Sequence, residues 1–247
     1  MLGVVRHGVA FRRGPVGAVL AAVGRGSRSM QVAGCRSLGG VQPWGAARGF
    51  CTDKPPTTRV PFDEEKIKQQ MQPLIPKQLK DLVKMELFKD MSKEDIEQVW
   101  EGYHETRKDS TSTVLSSAEW EKLKSRTKLC PLFVHPVVKS DTQFYVLLSQ
   151  WNDNHNLMTF LEDYQKDPKN ALPYLYTVAY TDFAEEKDVV LVRAEFLPYL
   201  TKEEAKHLLA ESLKFYVHDD ASFEHVSTFN LNSPAFDFNA VFKLPVN

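Results

Sequence analysis

Hydrophobic positions along this chain change their period once, near Pro131. Before it the spacing is helical. Leu79, Leu82, Val83 and Leu87 recur at helical intervals between Gln78 and Lys89, and Ser92 with Asp95 then resembles a capping box, with Met91 and Ile96 placed to staple the turn. The helix that starts there carries one apolar stripe. Ile96, Val99, Trp100 and Tyr103 stand at i, i+3, i+4 and i+7, opposite a face of Lys93, Glu94, Glu97, Glu101 and Glu105. A third start at Ser116 with Glu119, flanked by Leu115 and Trp120, predicts a helix to about Arg126. Residues 77–128 are therefore expected to be helical.

After Pro131 the period moves toward 2. Leu132–Val134, Phe144–Trp151, Leu157–Leu161, Tyr174–Tyr180 and Val189–Arg193 are β-branched or aromatic runs. The turns between them, such as Lys139-Ser140-Asp141 and Asn152-Asp153-Asn154-His155, are too short for parallel crossovers and predict antiparallel neighbours. Alternation of Phe236, Phe238, Ala240, Phe242 and Leu244 with polar or smaller residues predicts a final strand. One long helix interrupts the strands: Thr201 caps it with Glu204, Leu200 staples Ala205, and Leu208, Leu209, Leu213 and Tyr216 form its inner stripe. The expected class is α+β, an antiparallel sheet packed against helices and preceded by a helical N-terminal arm. The sheet domain, 129–247, is expected to form one globular unit with 77–128.

Charge changes the picture at the front of the chain. Residues 1–50 carry Arg6, Arg12, Arg13, Arg25, Arg28, Arg36 and Arg48 and no acidic residue, which is the composition of a mitochondrial transit peptide. Such a leader must be cationic to be drawn toward the negative matrix side of the inner membrane. Arg48-Gly49-Phe50-Cys51 resembles its cleavage region. A secretory signal fits less well, because the apolar run from Pro15 to Val23 is short and is followed by four more arginines. Residues 51–76 are expected to be a Pro-rich linker and a short charged helix, Asp63 to Gln72, stopped by Pro73 and Pro76. No stretch has the ~18 apolar residues of a transmembrane helix.

Beyond the leader, 24 Lys and Arg face 32 Asp and Glu, a formal balance of −8, with the whole excess after residue 128. Phosphate neutralisation needs the opposite sign, so no nucleic-acid partner is expected. A membrane-surface protein would need a basic amphipathic helix, whereas the helices here are mixed or acidic. Cys51 and Cys130 are isolated thiols, which suits a reducing compartment.

Catalytic signatures are absent from the sequence. It has no GxxxxGKS/T loop, GxSxG elbow, HExxH or glycine-rich dinucleotide turn, and Gly102 is the only glycine after Gly49. His218, Asp219, Asp220 and His225 could supply a mixed N and O metal site, but their spacing matches no ligand frame and a polar loop explains them. His135 beside Pro136 reads as a structural histidine. Arg193 and Glu195 stand two apart on one strand face, placed to pair with each other or to read a partner's charges. No cofactor and no metal are expected.

One sequence pattern is recognisable. Met85-Glu86-Leu87-Phe88-Lys89-Asp90-Met91-Ser92, then Glu94, Ile96, Val99-Trp100 and Tyr103, lead to Ser117-Ala118-Glu119 and Cys130-Pro131-Leu132-Phe133. Gln150-Trp151, Glu186-Lys187-Asp188-Val189-Val190-Leu191, Glu195, Phe215-Tyr216 and Thr228-Phe229-Asn230-Leu231 follow in order. This succession resembles the assembly-factor family of the mitochondrial ATP synthase catalytic head, and within it the member that chaperones the β subunit. The resemblance implies a matrix protein without catalytic activity that holds the unassembled β subunit and prevents its aggregation until α subunits replace it; a monomer is expected. The residues named as candidate client contacts are Ile96, Val99, Trp100 and Tyr103, with Trp151, Arg193 and Glu195. An apolar stripe on a helix has a second reading, packing against its own domain. The competing functional classes are a small matrix hydrolase, which would need a clustered nucleophile and base, and a matrix interaction module with a different client.

Overall fold

The computed structural model describes residues 77–140 and 143–242. The transit peptide, Arg48 to Cys51, the linker and the Asp63–Gln72 segment therefore lie outside the described residues. A 3-10 turn at Leu79–Asp81 precedes α1 (Met85–Asp90) and α2 (Lys93–Thr106). Then come β1 (Ser110–Leu115), α3 (Ser117–Leu129), β2 (Leu132–Ser140), β3 (Gln143–Asn152), β4 (His155–Phe160) and α4 (Leu161–Lys166). β5 (Pro173–Phe183), the one-turn α5 (Ala184–Lys187), β6 (Val189–Phe196) and α6 (Lys202–Leu213) follow. A π-helical stretch, Lys214–His218, joins α6 to α7 (Asp220–Leu231), and α8 (Phe238–Phe242) ends the described chain.

The six strands form one antiparallel sheet in the order β1-β6-β5-β4-β3-β2. Consecutive strands from β2 to β6 pair as a meander, as the short turns predict. Asp153 makes the β3–β4 turn by taking a left-handed φ of 52°, and Asn154 secures it by donating from Nδ2 to the Ala179 carbonyl at 2.9 Å.

Helices cover both faces of the sheet. Val189 and Leu191 of β6 lie with Tyr176, Val178 and Tyr180 of β5 against Leu79, Phe88, Ile96 and Trp100. The alternate residues Val190, Val192, Ala194, Leu175 and Ala179 belong to the larger core, with Leu208, Leu209 and Leu213 of α6 and Phe229 of α7. The strict period of 2 in β5 and β6 thus serves two apolar layers at once, which explains why those strands read as nearly continuous hydrophobic runs. The helix starts are where the caps place them. Ser116 and Glu119 form a reciprocal box, as do Thr201 and Glu204, and the Ser92 side chain accepts from the Asp95 amide.

Four elements depart from the sequence expectations. The helical region contains a strand, β1, whose Ser-Thr-Ser-Thr-Val-Leu sequence is mostly polar; pairing with β6 and burial of Ser110, Thr111 and Leu115 make it a strand. The segment from Gln78 to Lys89 is broken into a 3-10 turn and α1. Thirdly, the expected single long helix of the second half has a partner, α7, capped by Asp219 and burying Ser222, Val226 and Phe229 at helical spacing. The final strand is replaced by a 3-10 turn at Ser233–Ala235 and by α8. Phe238 and Val241 are buried three residues apart, a spacing that serves a helix as well as alternation serves a strand.

Candidate functional site

Helix α2 decides the fate of the apolar stripe. Ile96 and Trp100 are 0% and 1% exposed, whereas Val99 and Tyr103 are 46% and 48% exposed. The stripe is wider than the surface it covers: a turn of 3.6 residues puts Ile96, Trp100 and His104 on the sheet and leaves Val99 and Tyr103 on the flank. Trp100 is fixed further by donating from Nε1 to the Val192 carbonyl at 3.2 Å and by edge contacts to His104 and Tyr180, with ring centroids 4.4 and 6.1 Å apart.

The named candidate contacts do not share a surface. Trp151 is buried in the larger core, edge-on to Tyr216. Arg193 is buried under α2 and pairs with Glu195, which also meets Lys77 at 3.6 Å. A charge held this way cannot read a partner without leaving its own pair. Of the seven, Ile96, Trp100, Trp151 and Arg193 pack the interior, and Glu195 is largely covered in its pair with Arg193. Val99 and Tyr103 remain on the surface.

Three of the four polar residues weighed for a metal have partners within the fold. Asp219 caps α7 through the Ala221 amide at 3.0 Å. Asp220 binds Arg126 at 2.6 Å and Lys122 at 2.9 Å, and these cations hold its carboxyl below the usual range. His218 approaches Glu119 at 3.6 Å. Among the described residues no three His, Cys, Asp or Glu side chains converge on a metal position, and no helix is long and apolar enough to cross a membrane. His135 is fully buried and bonded through Nδ1 to Glu211 at 2.9 Å, which ties β2 to α6.

A concave feature lies at the edge of the sheet. A groove of about 630 Å³ runs between α2 and α6, with β1 as its floor. Gln98, Glu101, Gly102, His104 and Glu105 form one wall, Thr111, Ser112 and Thr113 the floor, and Lys206, Leu209, Ala210 and Leu213 the other wall. Lysines of α6 close one end. Lys202 donates to the carbonyls of His104 and Arg107 at 3.0 Å each, satisfying the orphan end of α2, and Lys206 meets Glu105 at 3.1 Å.

His104 is the titratable group of this groove. Its Nδ1 lies 2.8 Å from the Trp100 carbonyl, which can only accept, so Nδ1 carries the proton and Nε2 offers a lone pair. Nε2 is buried without a partner. Burial pushes the His104 pKa down and nearby Arg193 adds to the effect, so the ring is neutral. No hydrogen bond among the described residues joins it to the Ser or Thr hydroxyls of β1. The groove is not legible in the sequence because it depends on β1 being an edge strand. The signal available was Gly102, a lone glycine inside a strongly patterned helix.

The model of a family described as ATP11 protein matches residues 51–242. An ATP synthase mitochondrial F1 complex assembly factor 1 from Danio rerio is 30% identical over 168 residues, covering 67% of this chain and 55% of the relative. The protein of the same name from Homo sapiens is 27% identical over 168 residues and is covered to 50%. A protein named "Protein atp11, mitochondrial" from Schizosaccharomyces pombe is 26% identical over 140 residues, 54% of this chain and 49% of the relative. The chain spans about half the length of the curated relatives it matches. Because the family match runs through the two-faced sheet and every helix described above, the chain belongs to the ATP11 protein family.

Proposed function

We propose that this protein is a mitochondrial assembly factor for the F1 catalytic head of ATP synthase, and that its client is the unassembled β subunit. The carrying observation is the family match over residues 51–242, with relatives named as F1 assembly factors. The Arg-rich, acid-free first fifty residues support delivery to the matrix. A subunit awaiting its neighbours exposes a large apolar surface, an aggregation hazard that a transient holder relieves. A shield of standard size covers about 800 Å² per partner, and micromolar to nanomolar affinity lets α subunits displace it. No bond is made or broken, so no catalytic group is required. Val99 and Tyr103, the exposed half of the α2 stripe, are the apolar residues this reading assigns to the client.

The test is aggregation of purified, unassembled β subunit at 37 °C, followed by light scattering with and without the protein from residue 51 onward. Stoichiometric suppression, released by adding α subunits, is the expected outcome. Scattering that is unchanged by a molar excess would overturn the assignment.

A further inference from the structure

The groove beside β1 has properties that the packing of this chain does not explain. β1 is an edge strand, and the hydrogen bond from the Phe196 amide to the Asp109 carbonyl fixes the phase of its ladder with β6. With Asp109 opposite Phe196 as a bonded pair, alternation makes Thr111, Thr113 and Leu115 the residues that bond β6. The backbone N–H and C=O of Ser110, Ser112 and Val114 then point away from β6, and because Ser110 is fully buried, those of Ser112 and Val114 are the ones left at the partly exposed edge. An edge of this kind is a template for another strand unless it is blunted by charge, proline or a bulge. β1 has none of these: it reads Ser-Thr-Ser-Thr-Val-Leu and pairs with β6 in unbroken register.

A second, independent observation comes from Gly102. It lies inside α2, where glycine is less favourable than alanine, and it lines the groove. A Cβ built there meets nothing within 4 Å. Among the described residues nothing occupies the space of the missing side chain. A glycine kept bare on a helix wall admits close approach of something outside the chain. The unpartnered Nε2 of buried His104, in the same wall, is an acceptor awaiting a donor. The charge on this wall indicates the chemistry of the occupant. Glu105 is paired with Lys206, whereas Glu101 makes no ion pair among the described residues. The opposite wall is apolar beyond its closing lysine: Leu209, Ala210 and Leu213.

We propose that the groove receives an extended segment of the client polypeptide, which adds to the sheet as a seventh strand beside β1 and sets a basic side chain against Glu101. The mode is β-augmentation: the outward backbone groups of Ser112 and Val114 supply affinity, and the walls select side chains. It deepens the assembly-factor reading and rests on it, since the occupant is a strand of the unassembled β subunit. It also suits a holder that must let go, because a single added strand can be peeled away one backbone pair at a time.

The test uses the protein from residue 51 onward with purified, unassembled ATP synthase β subunit. Ser112→Pro removes one outward N–H and fills the edge, while leaving the bonds to β6 intact. Gly102→Ala adds one methyl group to the wall and improves the helix. Expected results are a Kd for β weakened about tenfold or more by Ser112→Pro, the worth of one or two lost backbone bonds. Gly102→Ala is expected to weaken binding several-fold while raising Tm, a combination that a merely structural glycine would not give. On hydrogen exchange, the amides of Ser112 and Val114 slow when β is bound. If both variants bind β like the wild type and those amides are unchanged in the complex, the groove proposal falls and the assembly reading stands. Failure of the wild type to bind β at all overturns both. Protection of the same amides in the protein alone, growing with its concentration, would make the occupant a second copy and overturn the proposal.

Discussion

Replacing Trp100 with Ala separates a core role for the α2 stripe from a docking role. The indole is 1% exposed and sits between His104, Tyr180 and the backbone of β6. Truncation removes its contacts with the layer that contains Ile96, Leu191 and Phe88 and opens a cavity that α2 can close only by moving its whole length. Large aromatic to Ala changes in such positions cost about 3–5 kcal/mol. The lost Nε1 bond adds little, because the Val192 carbonyl has two lone pairs and keeps its place in the ladder with β1. For a chain of this size that loss lowers Tm by roughly 6–20 °C. Urea unfolding followed by far-UV circular dichroism is the assay, with the midpoint falling and the slope unchanged. Tyr103→Ala is the control on the same helix. Its ring is half exposed, with His104 edge-on and Arg107 over its face, so it should cost less than about 1 kcal/mol. A Trp100→Ala protein destabilised by less than about 1 kcal/mol, or no more than Tyr103→Ala, would refute the docking of α2 described here.

Other perturbations probe different parts of the structure. Ser116→Ala breaks the reciprocal cap of α3, in which the Ser116 amide and hydroxyl both reach Glu119 at 2.8 Å, and should cost about 1 kcal/mol by chemical denaturation. Glu211→Ala strands the buried His135 Nδ1 and should cost about 1–3 kcal/mol, more than the same change at exposed Glu203. Acid should find a weak point at His104. Its folded-state pKa is lowered by burial, so below its unfolded value of about 6.5 the unfolded chain takes up the proton first. Stability from this group is complete above that pH and declines as pH falls from there toward the depressed folded value. His104→Gln should flatten that part of the Tm against pH curve, and an unaltered curve would show that His104 does not set it.

Much of this fold can be read from residue order, and the misreadings have identifiable causes. The capping motifs at Ser92, Ser116 and Thr201 are local chemistry within four residues and are realised as helix starts. The β5 and β6 patterns are equally direct, because both of their faces are buried. β1 is different. Its residues carry no apolar alternation, and only β6, far along the chain, makes them a strand. The Phe236 to Leu244 stretch satisfied two periods at once, and the helix at Phe238–Phe242 uses the three-residue one. The candidate site was only partly visible. Spacing marks Ile96, Val99, Trp100 and Tyr103 as one stripe, but how far a helix rolls onto its sheet decides which of them stays outside, and that angle is a property of the packed pair.

The β1–β6 pairing has a consequence for how the molecule comes apart. Its two strands are separated by roughly 80 residues of chain, so the ladder forms only after a long closure has been made, and it gains no support from a hairpin turn. The β2-to-β6 meander, by contrast, is assembled from neighbours. The amino-terminal layer, from Leu79 through Leu115, is therefore the part expected to detach first and return last. Amide exchange in native buffer should show it as a separate cooperative unit of lower opening free energy than β3 and β5.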